Sequence, residues 1–477
     1  MAKTPNNISR RRFLGQASCA AVGALPMLNA LLSLRLAEGL AEAASTPTPG
    51  EYRALVCILL AGGNDSYNML VPRAPAAYAE YQASRADLAL TPAELINIHP
   101  VGLPDFAVHG QMPEIASLFG AGHAAFVANV GTLIEPVFNR TQVDQNLKRL
   151  PLGLYSHSDQ IEQWQTSIPQ SRSGIGWGGR VGDLLSQLNT NPVVPMQISL
   201  DGGNVWQTGN TVAEYAIKTD GAVELDGYRA HWQQYQDLQN ALSSAVDSQL
   251  TQQYSNLLMQ TFNTRKREAL DAYNVFAAAT APPLPAGVTF PSSYLGQRLA
   301  MIARTIQGRA GIGATRQTFF IQWGGWDHHD EVVANQGAML PQVSAAIGAF
   351  YNALTALGVQ NQVTTFTISD FGRTLTSNGR GSDHAWGGNQ LIVGGGVQGQ
   401  RIFGQYPSLA VNPDSGPEVN PLDTGRGRFI PTTSCDQVFA ELAMWLGVSK
   451  SNLPLVLPNI GNFYNTASSS PPLGFLL

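Results

Sequence analysis

The stretch Ala54-Leu55-Val56-Cys57-Ile58-Leu59-Leu60, followed by Ala61-Gly62-Gly63-Asn64-Asp65, decides the fold. Seven apolar residues in a row, with no polar alternation, read as a strand covered on both faces, as in a parallel sheet between helix layers. The Gly-Gly-Asn-Asp that follows puts a polar turn at the carboxyl end of that strand, where open parallel sheets bind their ligands. Working outward, similar apolar runs predict strands at 124–130, 193–200, 318–323, 363–368 and 390–393. Between and after them, helical spacing appears at 113–119, 158–165, 179–188, 294–307, 340–357 and 435–446. Strands alternating with helices predict an α/β fold, a mainly parallel sheet with helices on both faces. Residues 228–279 differ: they are rich in Gln, Ala and Leu, lack Gly and Pro, and predict a helical insertion in the form of a helix pair.

The chain has 477 residues, 44% of them hydrophobic and 13% charged, with a net charge of −5. That composition supports a large core and excludes intrinsic disorder. It also argues against a nucleic-acid partner, because neutralising phosphates needs a basic face. The 48 Gly and 29 Pro predict long, ordered, turn-rich loops. At the N-terminus, Ser9-Arg10-Arg11-Arg12-Phe13-Leu14 resembles a twin-arginine export signal, residues 15–34 are uncharged, and Ala41-Glu42-Ala43 offers a cleavage site. An uncharged run of about 20 residues also suits a membrane anchor, but Gly23, Pro26 and Asn29 make this one weakly hydrophobic. The expectation is therefore a signal peptide at 1–44, a linker at 45–53, one domain at 54–462 and a C-terminal tail at 463–477, loose over its Ser/Pro-rich residues 465–472. The twin-arginine translocase would be a partner during export, and the mature form would be periplasmic or extracellular without spanning a membrane. Cys57 reads as core, although a disulfide with Cys435 is open in an oxidising compartment.

The strand ends carry the residues suited to chemistry. Asp65 follows the first strand, and Asp327-His328-His329 follows 318–323. Asp370 and Arg373 follow 363–368, while Asp383-His384 precedes 390–393. Asp and His converging from several loops bind a divalent cation: imidazole suits Zn, and carboxylates also suit Mn, Mg or Ca. The metal candidates are thus Asp65, Asp327, His329, Asp370, Asp383 and His384. The same residues also serve as ordinary loop and helix caps. His328 diverges from its neighbours if the segment is extended. Arg373 can pair an anionic substrate or simply Asp370. In Tyr155-Ser156-His157-Ser158-Asp159, Ser158 suits a helix cap and Ser156 is left as the nucleophile candidate, with His157 adding polarity.

Taken in order, the twin-arginine signal, LLAGGNDSYNMLVP, YSHSDQIEQWQT, GWGGR, GWDHHDE, TISDFGRT, SDHAWGG and a terminal helix resemble the bacterial family called domain of unknown function 1501. The resemblance runs over about 54–461. That family is similar to the alkaline phosphatase and sulfatase superfamily, whose fold is a mainly parallel sheet with a metal centre at the strand ends. The resemblance implies Asp65 as a metal-binding Asp after the first strand, Asp327 and His329 as an Asp/His ligand pair, Asp370 as the later Asp, His384 as the final His and Ser156 as nucleophile. Phe371 stands where the superfamily has a His, leaving one metal or a degenerate site as the alternatives. Two functions follow as expectations: an exported metal-dependent hydrolase of small-molecule or polymer phosphate or sulfate esters, or a non-catalytic envelope protein that binds a protein or glycan.

Overall fold

The computed structural model describes residues 51–191, 193–223, 228 and 235–476. The signal peptide, most of the linker and residues 229–234 of the insertion lie outside them. In chain order the strands are β1 (Arg53–Leu60), β2 (Leu70–Pro72), β3 (Leu95–Ile98), β4 (Phe106–His109), β5 (Ala124–Gly131), β6 (Gln197–Ser199), β7 (Tyr215–Lys218), β8 (Gly221–Ala222), β9 (Arg316–Trp323), β10 (Val363–Ser369), β11 (Gly388–Val393), β12 (Arg401–Gly404) and β13 (Thr433–Ser434). The longer helices are α1 (Pro75–Arg85), α2 (Pro113–Gly120), α3 (His157–Thr166), α4 (Trp177–Leu185), α5 (Gln236–Thr251), α6 (Leu257–Thr280), α7 (Tyr294–Gln307), α8 (Val332–Ala356) and α9 (Cys435–Leu446).

Among the described residues the main sheet runs β12-β5-β11-β10-β1-β9-β6-β7-β8, with β13 also on β5. β1 lies near the middle, parallel to both β9 and β10. Its side chains alternate between two cores. Ala54, Val56, Ile58 and Leu60 join residues of α2, α7 and α8 on one face. Leu55, Cys57 and Leu59 join Trp164 of α3, Trp177 of α4 and Phe439 of α9 on the other. The continuous apolar run is thus the imprint of two helix layers on one strand. The sheet is mainly parallel, as expected, but β11 runs antiparallel to β10 and β5.

Other elements depart from the sequence reading. The small sheet β2-β4-β3 was not anticipated; its strands of three or four residues are too short to show a period. β6 occupies only three residues of the predicted 193–200 run. α8 starts at Val332, with Pro341 inside it, although proline normally marks a helix start because it removes a donor. The tail is tied down on both sides: within 465–472 Lys450 Nζ donates to Ser468 O at 2.8 Å and Tyr464 OH to Ser470 O at 2.6 Å, and beyond it Glu441 accepts the backbone N–H groups of Leu473, Gly474 and Leu476 at 2.9, 2.6 and 2.7 Å, with Phe475 buried. Cys57 and Cys435 are both buried and free, so no disulfide joins them. Among the described residues no helix is long and apolar enough to cross a membrane.

Burial at the start of α9 pushes the Asp436 carboxyl up to about 7. A carboxyl raised in the folded state stabilises the fold fully below its unfolded value, near 4, and that contribution is lost as pH rises through about 7. Urea midpoints are therefore expected to fall across this window, with a slope of up to about 1.4 kcal/mol per pH unit from this group. Asp436→Asn should flatten the slope. An unchanged profile in the variant would assign the pH dependence elsewhere.

Candidate metal centre

The carboxyl ends of β1, β9 and β10 lie at one edge of the sheet. Because β11 is antiparallel, the loop that enters it reaches the same edge. The loops after β10 and before β11 are zipped together by backbone bonds: Gly372 N to Trp386 O and Ala385 N to Gly372 O, both 2.9 Å, and Thr374 N to Asp383 O at 2.9 Å. The β1 loop comes close through its glycines. Gly62 has φ 125°, and a Cβ there would run into the backbone nitrogen of Asp327. α3 is tied on by Trp164 Nε1, which donates to Asp370 O at 3.0 Å, and it brings His157 as its first residue.

Three imidazoles and one carboxylate converge there. Asp327 Oδ1 lies 3.1 Å from His329 Nε2 and 3.2 Å from His384 Nε2, and Asp327 Oδ2 lies 3.3 Å from His157 Nε2. The two nitrogens of His329 and His384 are 2.9 Å apart. Each ring is held from behind through its other nitrogen. His157 Nδ1 meets Asp370 Oδ2 at 2.7 Å, His329 Nδ1 meets Asp383 Oδ1 at 3.1 Å, and His384 Nδ1 meets the Tyr155 carbonyl at 2.9 Å. The backing acceptors are fixed in turn. Asp370, fully buried, also accepts Gly62 N at 3.0 Å, and Asp383 accepts Asn378 Nδ2 at 3.0 Å and Arg426 at 2.5 Å. Phe371 packs beside His157 and His384 with its ring tilted against both, the centroids 4.9 and 4.5 Å away.

This donor set fits a cation. Acceptors behind the rings make each Nδ1 the protonated nitrogen, so each Nε2 presents a lone pair. The lone pairs of His157 and His384 and the Asp327 carboxylate then face one another, with His329 beside Asp327 and His384, an arrangement that calls for a proton or a metal ion between them. Donor atoms around an ion bound at about 2.0–2.1 Å lie roughly 3.0–3.4 Å apart, close to the spacings found here. His157, Asp327 and His384 place one ligating atom each within 4.8 Å of one another. The hydrogen bond to Asp370 raises the His157 pKa, while burial lowers that of His384. Burial raises Asp327, but Arg373, His329 and His157 outweigh it and hold the carboxyl below its ordinary range. Asp383 is held down to about 2: burial pushes it up, and bonds from Asn378, Arg426 and His329 prevail. The cluster is open to solvent, with the Asp327 and His329 side chains 40% and 44% exposed.

Of the residues picked from the sequence, Asp327, His329 and His384 meet in the cluster. Asp370 and Asp383 stand behind it as partners of histidines. Asp65 is not brought there: it is fully buried in an ion pair with Arg85 of α1, also fully buried. Arg373 pairs Asp327 at 2.6 Å, not Asp370, and spends its other donors on Ser382 and Gly62 O, so it is buried away from a substrate. Ser156 is the N-cap residue of α3, and its hydroxyl faces Ser158 at 3.2 Å and the Asp159 carboxylate instead of the cluster. His328 turns inward and is buried, as the alternation predicts. His157, whose sequence context shows only loop polarity, joins the cluster as well; its scarcity as one of eight histidines, at the start of a helix, is the one signal the sequence offers.

Among solved structures the chain is similar to Ps i-CgsB in complex with k-i-k-neocarrahexaose, at 10% identity and TM-score 0.32, covering 88% of this chain and 78% of that one. It is similar also to the PsFucS1 sulfatase from Pseudoalteromonas sp., at 10% identity and TM-score 0.29 over 80% and 69% of the two chains. A variant of the alkaline phosphatase PafA follows at 9% identity and TM-score 0.26, over 69% and 64%. No curated protein matches the chain. One family model, described as Protein of unknown function (DUF1501), matches residues 52–424, and the chain belongs to that family.

Proposed function

We propose that this centre holds a divalent cation and hydrolyses a phosphate or sulfate ester. The observation that carries the metal is the convergence of His157, His329 and His384 Nε2 on Asp327, each ring locked from behind. The ester class follows the superfamily resemblance of the motifs. Imidazole ligands favour Zn over Mn, Mg or Ca, which prefer oxygen-rich shells. A bound ion would supply Lewis acidity toward an ester oxygen and lower the pKa of a water. The chain's own residues do the rest. Asp370, Asp383 and the Tyr155 carbonyl orient the rings. Arg373 keeps Asp327 ionised. Arg426, partly exposed and tied to Asp383, puts a guanidinium near the opening where an anionic ester would approach. The signal read in residues 1–44 would deliver the enzyme to the periplasm or beyond.

The nucleophile in this reading is water, since the Ser156 hydroxyl faces Asp159. The purified protein is expected to carry a stoichiometric divalent metal, Zn before Mn, Mg or Ca, by elemental analysis and to hydrolyse an aryl phosphate, phosphodiester or sulfate in a chelator-sensitive manner. Ser156→Ala should keep kcat within about threefold, because it removes no group that touches the reacting atoms. Loss of turnover with metal retained in that variant would return the nucleophile to Ser156. No bound metal after supplementation, together with no turnover, would leave a non-catalytic scaffold that binds a protein or glycan.

A further inference from the structure

Residues 422–430 form a hairpin beside the metal centre. Asp423 and Phe429 bridge antiparallel, and Ile430 N donates to Leu422 O at 2.9 Å. Gly387 N donates to Phe429 O at 3.0 Å, which joins the hairpin to the loop that carries Asp383 and His384. The fully buried Asp423 holds the turn from inside: its Oδ1 accepts Gly425 N and Gly427 N at 2.8 Å each, and its Oδ2 accepts Asn412 N at 2.7 Å. Around that carboxylate Gly425, Arg426 and Gly427 take φ of 114°, 62° and 72°. The two glycines adopt this region freely, whereas a residue with a Cβ is strained there. Arg426 is the exception that asks for a reason.

Its side chain supplies one. Arg426 Nη1 meets Asp383 Oδ2 at 2.5 Å, and Asp383 Oδ1 is the acceptor behind the His329 ring. Two residues on, Arg428 Nε donates to His384 O at 2.9 Å, and its guanidinium lies over the Tyr155 ring, 5.4 Å from the centroid. Tyr155 in turn provides the carbonyl behind the His384 ring, from a backbone at φ 72°. One hairpin thus reaches two of the three imidazoles through two separate arginines. The third, His157, is backed by Asp370 at the end of β10 and owes nothing to it. We infer that Arg426 and Arg428 are positioning residues that set the orientation of His329 and His384 toward the metal, and that the hairpin tip gives up backbone stability to do so. Strain at a non-glycine residue persists where the side chain does something that glycine cannot. The inference rests on the metal reading of the centre, and assigns part of its geometry to a segment that supplies no ligand.

The test compares wild type with Arg426→Gly, Arg426→Lys and Arg428→Met in the purified protein. Competition with a chromophoric chelator reads Zn affinity, the visible spectrum of the Co-loaded protein reads coordination geometry, and melting of the metal-free protein reads the fold. Arg426→Gly removes the guanidinium and the strain together. It is expected to melt at or above wild type, to bind Zn about 10–100-fold more weakly and to shift the Co spectrum. Arg426→Lys keeps the strain and a cation that can donate to Asp383, so it should lose less affinity than Arg426→Gly. Arg428→Met should weaken Zn binding by at least about tenfold. A hairpin that served the fold alone would give the opposite order, with affinity following melting temperature, and that outcome would overturn the inference. Wild-type affinity and spectrum in both Arg426→Gly and Arg428→Met would also overturn it while leaving the metal centre in place. Absence of metal from wild type would overturn the two together.

Discussion

His157→Ala is expected to lower metal affinity by at least about 10²-fold and to abolish turnover. Asp370→Asn, which leaves the ring but removes its backing acceptor, should cost about 10–100-fold. The reasoning is geometric. His157 Nε2 is the group that faces Asp327 Oδ2, and the 2.7 Å contact to Asp370 holds that ring in place. Competition with a chromophoric chelator reads both variants directly. Full occupancy in His157→Ala would remove α3 from the centre. The contrast is Asp65→Asn, in which the folded protein should keep its metal, because the Asp65 carboxylate belongs to Arg85.

Arg85→Met is expected to destabilise the fold by about 3–5 kcal/mol, the cost of leaving one charge of a buried pair without its partner. Both side chains are fully buried, and Arg85 also donates to Thr374 O at 3.1 Å. The pair therefore pins α1 to the β1 loop and to the segment after β10. Asp65→Asn combined with Arg85→Met should recover much of the loss, since it removes both charges. Urea titration of the single and double variants measures the coupling. An Arg85→Met midpoint equal to wild type would show that the pair is not buried in solution.

Much of this was legible in the sequence because burial on two faces leaves a strong mark. The runs at β1, β5, β9 and β10 could hardly be anything but interior strands, and the loops at their ends delivered Asp327, His329, Asp370 and His384 to one edge. Two kinds of residue escaped. His157 approaches from a helix, so its meeting with Asp327 depends on how α3 packs against β10, which no local pattern encodes. Asp65 has the right place after a strand, but its partner sits 20 residues away in a helix, α1, that the sequence reading did not find. A carboxylate at a strand end is thus a ligand or half of an ion pair depending on one distant cation. The short strands of the small sheet were invisible because three residues carry no period.

The central position of β1 has a consequence for how the chain is made. Arg53 opens the strand, yet its partner in β9 is Arg316, 263 residues downstream, and the β10 partners lie further still. At roughly 5–20 residues per second, β1 leaves the ribosome about 13–50 s before either neighbour exists. Throughout that interval the segment 54–60 is an apolar strand with both edges open, the form most prone to pair with another chain. Nascent chains stalled before residue 316 should therefore be the aggregation-prone species. Shelter of this one segment during translation is therefore expected to raise the yield of folded protein.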